Sequence, residues 1–208
     1  MQNEHDPGQF RMPVGREGRS LLAEMNDHHR SLSEWALSKL PDVKCEKVLD
    51  IGCGGGMLIS LISRRFRNAD IYGIDISEES VALTKETNSG LVAEGRCHIS
   101  VDSVSDLPFK EGTFDLVTAF ETYFFWPDLE NDMRKAASVV KKGGYIVVVS
   151  ETYPHPDFKE RNDEIVRVYG LNLVDNAFMT DMLKRYGMDV TVSEIEEKNW
   201  VAFVGRKR

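Results

Sequence analysis

A short apolar stretch that runs into a cluster of glycines constrains the fold of this chain more than any other feature. Residues 48–51 read Val-Leu-Asp-Ile, which predicts a buried strand. Residues 52–56 read Gly-Cys-Gly-Gly-Gly, and apolar residues then recur at helical spacing from Leu58 to Phe66. Glycine permits positive φ and a close approach of the backbone to a ligand, and the first N–H groups of a helix are unpaired. The stretch therefore predicts a ligand-binding turn between a strand and a helix.

The sequence separation between this turn and the next acidic strand end indicates the kind of ligand. Residues 69–75 form a second predicted strand that ends in Asp75, about twenty residues after the turn, where an acidic side chain can meet ribose hydroxyls. A dinucleotide-binding fingerprint read from Gly52 requires glycine or alanine at position 57, but the residue there is Met57. The pattern thus favours a nucleoside-containing ligand other than a dinucleotide.

With residues 48–56 and Asp75 together, the chain resembles the class I S-adenosylmethionine-dependent methyltransferases, of the type that acts on small molecules. Further predicted strands cover residues 96–101, 114–120 and 145–150, with helices between them. Residues 188–195 and 200–205 predict a hairpin. The fold class predicted is a Rossmann-like α/β/α sandwich in which a seven-stranded, mostly parallel sheet carries a C-terminal antiparallel hairpin.

Three regions are predicted along the chain. Residues 1–14 are polar and contain prolines, which indicates a flexible tail. Residues 15–42 predict an N-terminal helical cap with a break between Asp27 and Arg30. Residues 43–208 form the predicted S-adenosylmethionine-binding domain, in which Gly143 and Gly144 are expected to end a helix that begins after Asp128.

The carboxyl ends of parallel strands meet at one edge of a sheet, so the residues after the predicted strands should converge on one site. The resemblance implies that the backbone of Gly52, Cys53 and Gly54 holds the methionine part of S-adenosylmethionine, and that Asp50 reaches its ammonium through water. It implies that Asp75 accepts hydrogen bonds from both ribose hydroxyls.

The resemblance also implies an adenine site, to which Ile76 contributes one packing face. Relatives often place an Asp four residues before the Leu-Pro-Phe found here at 107–109, but Ser103 occupies that position and Asp102 lies one residue earlier. Either Ser103 or Asp102 accepts from the adenine amine, and Val104 offers its backbone N–H.

Aromatic residues after the fourth strand predict a wall for the methyl acceptor. Phe120 ends the strand and is also expected to contact the cofactor, Glu121 is the candidate for binding an amine or removing a proton, and Tyr123 and Trp126 follow. Glu151, after the fifth strand, is a further candidate. The helical cap adds His28, either as a packing residue or as a group presented to the site.

Bulk properties exclude several classes of function. A formal net charge of −8 disfavours broad contact with nucleic acid or anionic membranes. The three cysteines cannot all pair and show no metal-ligand spacing, so no metal site is expected. No apolar run approaches a membrane span, and the first residues lack the apolar core of a signal peptide. We expect a cytoplasmic protein with a small-molecule acceptor; the oligomeric state and the acceptor stay open.

Two other functions fit parts of the pattern. A catalytically inactive S-adenosylmethionine-binding regulatory or scaffold protein would have the same turn and the same Asp75. An NAD-dependent oxidoreductase would use a similar turn but is disfavoured by Met57.

Overall fold

The computed structural model describes residues 6–208, which are organised around one mixed β-sheet. Its strands are β1 (Lys47–Ile51), β2 (Asp70–Asp75), β3 (Cys97–Val101), β4 (Phe114–Phe120), β5 (Val140–Ser150), β6 (Met188–Ile195) and β7 (Trp200–Lys207). They lie in the order β3-β2-β1-β4-β5-β7-β6. Strands β1 to β5 are parallel to one another, whereas β7 is antiparallel to both β5 and β6. The predicted fold class is confirmed, including the C-terminal hairpin.

Nine α-helices occur in the described part of the chain. They are α1 (Gly8–Arg11), α2 (Gly15–His28), α3 (Arg30–Leu37), α4 (Met57–Arg65), α5 (Glu78–Thr87), α6 (Ser89–Ala93), α7 (Leu129–Ser138), α8 (Lys159–Tyr169) and α9 (Asn176–Arg185). Helices α2 and α3 meet at His29, inside the stretch where the sequence predicts a break. None of the helices in residues 6–208 combines the length and the apolar character needed to cross a membrane.

Alternating residues of the central strands supply two separate cores, because successive side chains of a strand point to opposite faces. On one face, Leu49 of β1 and Val117 of β4 pack in a cluster with residues of α7 and α9. On the other face, Val48 and Leu116 belong to a cluster with residues of α3 and α4. Burial on both faces explains why these strands read as continuous apolar runs in the sequence.

The prediction that Gly143 and Gly144 end a helix is wrong. Helix α7 ends at Ser138, and Val140 already pairs with Phe114 as the first residue of β5. The register shifts between Phe114 and Leu116, and a Cβ on Gly144 would lie 2.9 Å from a backbone oxygen of Asp115. Gly144 therefore accommodates an irregularity at the start of the strand, where the backbones come too close for a side chain, and Gly143 supplies a positive φ of 79° beside it.

The N-terminal segment differs from the flexible tail that the sequence predicts. Residues 1–5 lie outside the described residues, but residues 6–14 contain helix α1 and are packed against the rest of the molecule. Pro13 is buried, and the ring of Phe10 lies 4.6 Å from the ring of Tyr169 in α8. The division into tail, cap and binding domain stays a prediction.

Candidate functional site

A cavity opens at the carboxyl ends of the parallel strands, next to β1 and β4, where the strand order changes direction. Crevices at this point are the usual ligand sites of open α/β sheets. Most of the residues predicted from the sequence to form the site line this cavity: Asp50, Gly52, Cys53, Gly54, Asp75, Ile76, Asp102, Ser103, Val104, Phe120, Glu121 and Trp126. His28, Tyr123 and Glu151 are not among its lining residues.

The glycine turn and Asp75 are joined directly. The backbone N–H of Gly54 donates to Asp75 Oδ2 at 3.0 Å, and the N–H of Ser77 donates to Oδ1 at 2.9 Å. Burial raises the pKa of the Asp75 carboxyl, and these hydrogen bonds oppose the rise. The carboxyl group is thus held in one place at the edge of the turn.

The turn needs glycine for two physical reasons. Gly52, Gly54 and Gly56 have φ of 76°, 51° and 84°, a region that L side chains rarely adopt. Close neighbours also exclude a side chain, because a Cβ on Gly52 would lie 2.8 Å from the Cβ of Thr122. Substitution of Gly52 would therefore strain the backbone and displace Thr122.

Helix α5 binds the carbonyl groups of the turn. Thr84 Oγ1 donates to the carbonyl oxygen of Gly54 at 2.8 Å, and Thr87 Oγ1 donates to that of Gly55 at 2.8 Å. Asn88 Nδ2 donates to the carbonyl oxygen of Gly56 at 3.0 Å. The turn is consequently fixed before any ligand arrives.

Asn26 of α2 holds the turn from the opposite side. Its Nδ2 donates to the carbonyl oxygen of Gly55 at 3.0 Å, and its Oδ1 accepts from the N–H of Met57 at 3.3 Å. The first N–H of α4, which the sequence alone leaves available to an anion, already has a partner. The sequence marks Asn26 only as one of several polar residues in the cap, since no local pattern shows which residue reaches the turn.

Asp50 is a buried carboxyl with one unsatisfied oxygen. The residue is 1% exposed, its Oδ1 accepts from Thr118 Oγ1 at 2.7 Å, and its Oδ2 has no partner among the described residues. Burial raises the pKa of Asp50 to about 7, against the opposing effect of the Thr118 hydroxyl. A buried acceptor without a partner beside a cavity is a feature that a bound donor would satisfy.

The sequence predicts two alternative acceptors for the adenine amine, and the structure places both at the cavity. Asp102 and Ser103 both line the cavity. Ser103 Oγ already accepts from the N–H of Ser105 at 3.1 Å, which leaves its hydroxyl one acceptor position fewer. Ile76 is 45% exposed beside them, so an apolar surface is available for a ring to cover.

Glu121 carries the most unusual backbone at the cavity. Its φ is 54°, which is strained for a residue with a side chain. Its Oε1 accepts from the backbone N–H of Glu151 at 2.6 Å. Burial, followed by the nearby negative charge of Glu151, raises its pKa well above the usual value of a glutamate. Strain and burial of this kind concentrate at functional sites.

The aromatic wall is only partly the predicted one. Trp126 and Phe125 line the cavity, but Tyr123 is 1% exposed and belongs to the hydrophobic core on one face of the sheet. The chain turns as a short 3-10 helix over Tyr123–Phe125, which directs the Tyr123 side chain into the core, with its ring 5.2 Å from that of Phe124. The structure therefore does not bring Tyr123 to the cavity, and it places Phe125 there instead.

His28, His29 and Glu151 form a cluster beside the cavity. His28 Nε2 lies 3.0 Å from Glu151 Oε1, and His29 Nε2 lies 3.5 Å from the same oxygen. Burial opposes ionisation of Glu151, but the hydrogen bonds with the two histidines outweigh it and lower its pKa to about 2. Of the three residues, His29 alone lines the cavity.

Sequence reasoning missed the contribution of the N-terminal segment. Phe10, Arg11 and Pro13 line the cavity, together with Leu22 and Met25 of α2. The polar, proline-containing composition of residues 6–14 gives no periodic signal, and the contact with α8 depends on residues far away in the sequence.

The charge of the cavity lining favours a cation over a diphosphate. Asp50, Asp75, Asp102 and Glu121 contribute four carboxyl groups, whereas Arg11 is the one strongly basic side chain among the described lining residues. Carboxyl groups accept hydrogen bonds from a ligand that carries donors or a positive charge, whereas a single strongly basic side chain offers little to bind a diphosphate.

Comparison with known proteins gives a consistent assignment. A family model described as "Methyltransferase domain" matches residues 49–148. The Ubiquinone biosynthesis O-methyltransferase of Chromobacterium violaceum is 38% identical over 142 residues, covering 67% of this chain and 54% of the relative. The Sterol 4-C-methyltransferase strm-1 of Caenorhabditis elegans is 28% identical over 148 residues, covering 70% of this chain and 42% of the relative. The chain thus spans about half the length of the curated relatives it matches.

Solved structures share the fold at low sequence identity. A chain from the complex of the Haloferax volcanii Trm112 methyltransferase activator with the putative methyltransferase has a TM-score of 0.79 and 18% identity, covering 93% of this chain and 98% of that one. A geranyl diphosphate methyltransferase in complex with SAM has a TM-score of 0.77 and 16% identity, covering 98% of this chain and 95% of that one.

Proposed function

We propose that this chain, which belongs to the class I S-adenosylmethionine-dependent methyltransferases, transfers a methyl group from S-adenosylmethionine to a small-molecule acceptor. The other product is S-adenosylhomocysteine. The observation that carries the proposal is the contact between Gly54 N–H and Asp75 Oδ2 at 3.0 Å. It puts the glycine turn and the acidic strand end beside one cavity, where they can bind two parts of one nucleoside.

The lining residues fit S-adenosylmethionine. Its ammonium group supplies the donor that the unpartnered Oδ2 of buried Asp50 lacks, directly or through one water molecule. Asp75 would accept from the ribose hydroxyls, and exposed Ile76 would pack on the adenine. Asp102, or Ser103, would accept from the adenine amine. When bound, the cofactor supplies an electrophilic methyl group on a positively charged sulfur.

On the acceptor side, Phe120, Phe125, Trp126 and Glu121 line the same cavity. Aromatic faces stabilise a nearby cation and exclude water, and exclusion of water favours transfer to the acceptor over side reactions. The Glu121 side chain would hold a hydroxyl or ammonium group of the acceptor in line for transfer. His28 and Glu151 lie outside the lining and would act on the acceptor only indirectly.

The class of acceptor rests on two observations. The matched relatives are named as methyltransferases for ubiquinone biosynthesis and for a sterol, both of which are small molecules. The cavity of this chain is bordered by a buried Trp126 and carries an acidic lining, so it suits a compact molecule better than a nucleic acid. A cytoplasmic location stays a prediction.

Calorimetry of S-adenosylhomocysteine binding tests the proposal. Asp75→Ala should raise the Kd about 5- to 150-fold, corresponding to about 1–3 kcal/mol for the loss of hydrogen bonds to a charged group. Asp70→Ala is the matched control, because Asp70 begins the same strand at the end away from the cavity. Absence of binding to the unaltered protein, or an equal loss in both variants, would refute the cofactor assignment.

Two alternative functions can be distinguished from the proposed one by experiment. A scaffold protein without turnover would bind the cofactor but transfer no label to a fractionated cell extract from labelled S-adenosylmethionine. An oxidoreductase would bind NADH in competition with S-adenosylhomocysteine, which the acidic lining and the engaged N–H of Met57 disfavour.

A further inference from the structure

His28, His29 and Glu151 bring three metal-ligating side chains together at the rim of the cavity. One ligand atom from each residue lies within 4.8 Å of the other two. The distances from the two Nε2 atoms to Glu151 Oε1 are 3.0 and 3.5 Å. Zinc bonds of about 2.0–2.2 Å in a tetrahedron place neighbouring ligand atoms roughly 3.3–3.6 Å apart. The two distances between histidine and carboxylate therefore already come near the spacing that one ion requires.

We propose that these three residues form a binding site for one divalent transition-metal ion of the zinc type. Two imidazole nitrogens and one carboxylate oxygen suit zinc, cobalt or ferrous iron better than magnesium or calcium, which prefer oxygen ligands. Three protein ligands leave at least one coordination position for water. The sequence predicts no metal site, since its cysteines show no metal-ligand spacing, and a carboxylate more than a hundred residues after the histidine pair leaves no local pattern.

The backbone of Glu151, which carries the carboxylate ligand, is held by hydrogen bonds on both sides. The backbone N–H of Glu151 donates to Glu121 Oε1 at 2.6 Å, and its carbonyl oxygen accepts from Arg161 Nη2 at 3.2 Å. Arg161 Nη2 also donates to Asn199 Oδ1 at 2.7 Å. These contacts fix the backbone segment from which the carboxylate ligand extends.

The ligands can also be reached by an ion from solvent without unfolding of the protein. The His28 side chain is 65% exposed, that of Glu151 27% and that of His29 17%. The histidines sit where α2 ends and α3 begins, whereas Glu151 follows β5. An ion would therefore tie the helical cap to the sheet and stabilise the folded state in proportion to its affinity.

The test is a titration of the untagged, EDTA-treated chain of 208 residues with cobalt(II), followed by its visible absorption bands. We expect one equivalent to bind, with bands of a four- or five-coordinate nitrogen–oxygen site, and zinc to displace it. His28→Ala and Glu151→Gln should each weaken binding at least 10-fold. His98→Ala is the matched control, since His98 lies on β3 outside the cluster.

Several results would overturn the site: no bound cobalt, octahedral bands alone, or an affinity that the His28 and Glu151 variants leave unchanged. An equal loss in the His98 variant would also overturn it. Melting temperatures confirm that each variant folds, and His28→Ala removes an exposed side chain that the core does not need. The titration contains no S-adenosylmethionine, so its outcome is independent of the calorimetry that tests the proposed function.

Discussion

Asp50 and Asp75 border the same cavity, but their surroundings differ. Asp75 accepts two backbone N–H groups, whereas Asp50 has one hydroxyl partner and one oxygen without any. Asp50 therefore lowers the stability of the folded protein, and a role in ligand binding would explain why it is buried. A buried carboxyl that lacks a partner is destabilising until a ligand supplies the missing donor.

The pKa of Asp50, raised by burial to about 7, gives a testable pH dependence. The unfolded chain ionises this group above about pH 4, but the folded protein does so only near pH 7. Stability is therefore lost as the pH rises between these values. Asp50→Asn should remove this loss, so its advantage in unfolding free energy should grow from pH 4 to 7, to about 2–4 kcal/mol.

Denaturant unfolding at a series of pH values measures this difference, with Asp42→Asn as an exposed control. The same Asp50 variant should bind S-adenosylhomocysteine more weakly, since an amide cannot replace a carboxylate toward an ammonium group. A variant that is less stable at pH 8, or that binds the cofactor more tightly, would contradict the role assigned to Asp50.

Glu121 combines a strained φ of 54° with a position on the acceptor side of the cavity. A glycine at this position would avoid the strain, so the retained strain points to the functional role proposed for the carboxyl group. Glu121→Gln keeps an oxygen that can accept from the N–H of Glu151. We expect methyl transfer to fall at least about 10-fold while cofactor affinity changes less than about 3-fold.

Initial rates with an identified acceptor and calorimetry with S-adenosylhomocysteine separate these two quantities. Glu24→Gln is a suitable control, because Glu24 is an exposed glutamate of α2 outside the cavity lining. Parallel losses of rate and affinity in the Glu121 variant would indicate a purely structural role.

Among the elements, the turn between β1 and α4 has the least tolerance for change. Gly52 and Gly143 have nearly the same φ, 76° and 79°, but a Cβ on Gly143 would meet nothing within 4 Å. Gly143→Ala should therefore cost about 1–2 kcal/mol from backbone strain alone. Gly52→Ala adds a collision with Thr122 and should cost at least about 1 kcal/mol more, with loss of cofactor binding.

The midpoints of urea unfolding give both costs directly. Equal destabilisation in the two variants would mean that Thr122 moves aside at no cost, and that the turn is constrained by φ alone. Intact cofactor binding in Gly52→Ala would argue against a close approach of the ligand to this part of the turn.

Most elements were predictable from the sequence, and the exceptions have a common cause. The hairpin strand Met188–Ile195 and the strand Phe114–Phe120 have the predicted bounds, because the period of a strand is a local property. Residues 140–144 were misassigned to a helix end. Their strand conformation depends on pairing with Phe114, which lies far away in the sequence.

At the scale of the whole molecule, the cavity is closed by parts of the chain that share no local pattern. Residues 6–14 cover it from one side, and the Phe10 ring contacts Tyr169 of α8. Removal of residues 1–14 should therefore raise the Kd of S-adenosylhomocysteine about 10-fold, mainly through faster dissociation, because the ligand loses its cover. Pro13 is the one buried residue among residues 6–14, so the melting temperature should fall only modestly.

Stopped-flow displacement and thermal unfolding measure these two effects. Removal of residues 1–5 alone is the matched control and should leave both quantities unchanged. Unaltered dissociation after removal of residues 1–14 would show that the segment plays no part in retaining the ligand.

The sequence by itself determined the sheet, the glycine turn and the convergence of Gly54 and Asp75, since strand period, helix caps and positive φ are properties of neighbouring residues. The tertiary structure alone decided that Asn26 holds the turn, that Tyr123 enters the core, and that the histidine pair meets Glu151. Each of these depends on how helices and strand ends pack in three dimensions, and local sequence patterns carry no record of such contacts.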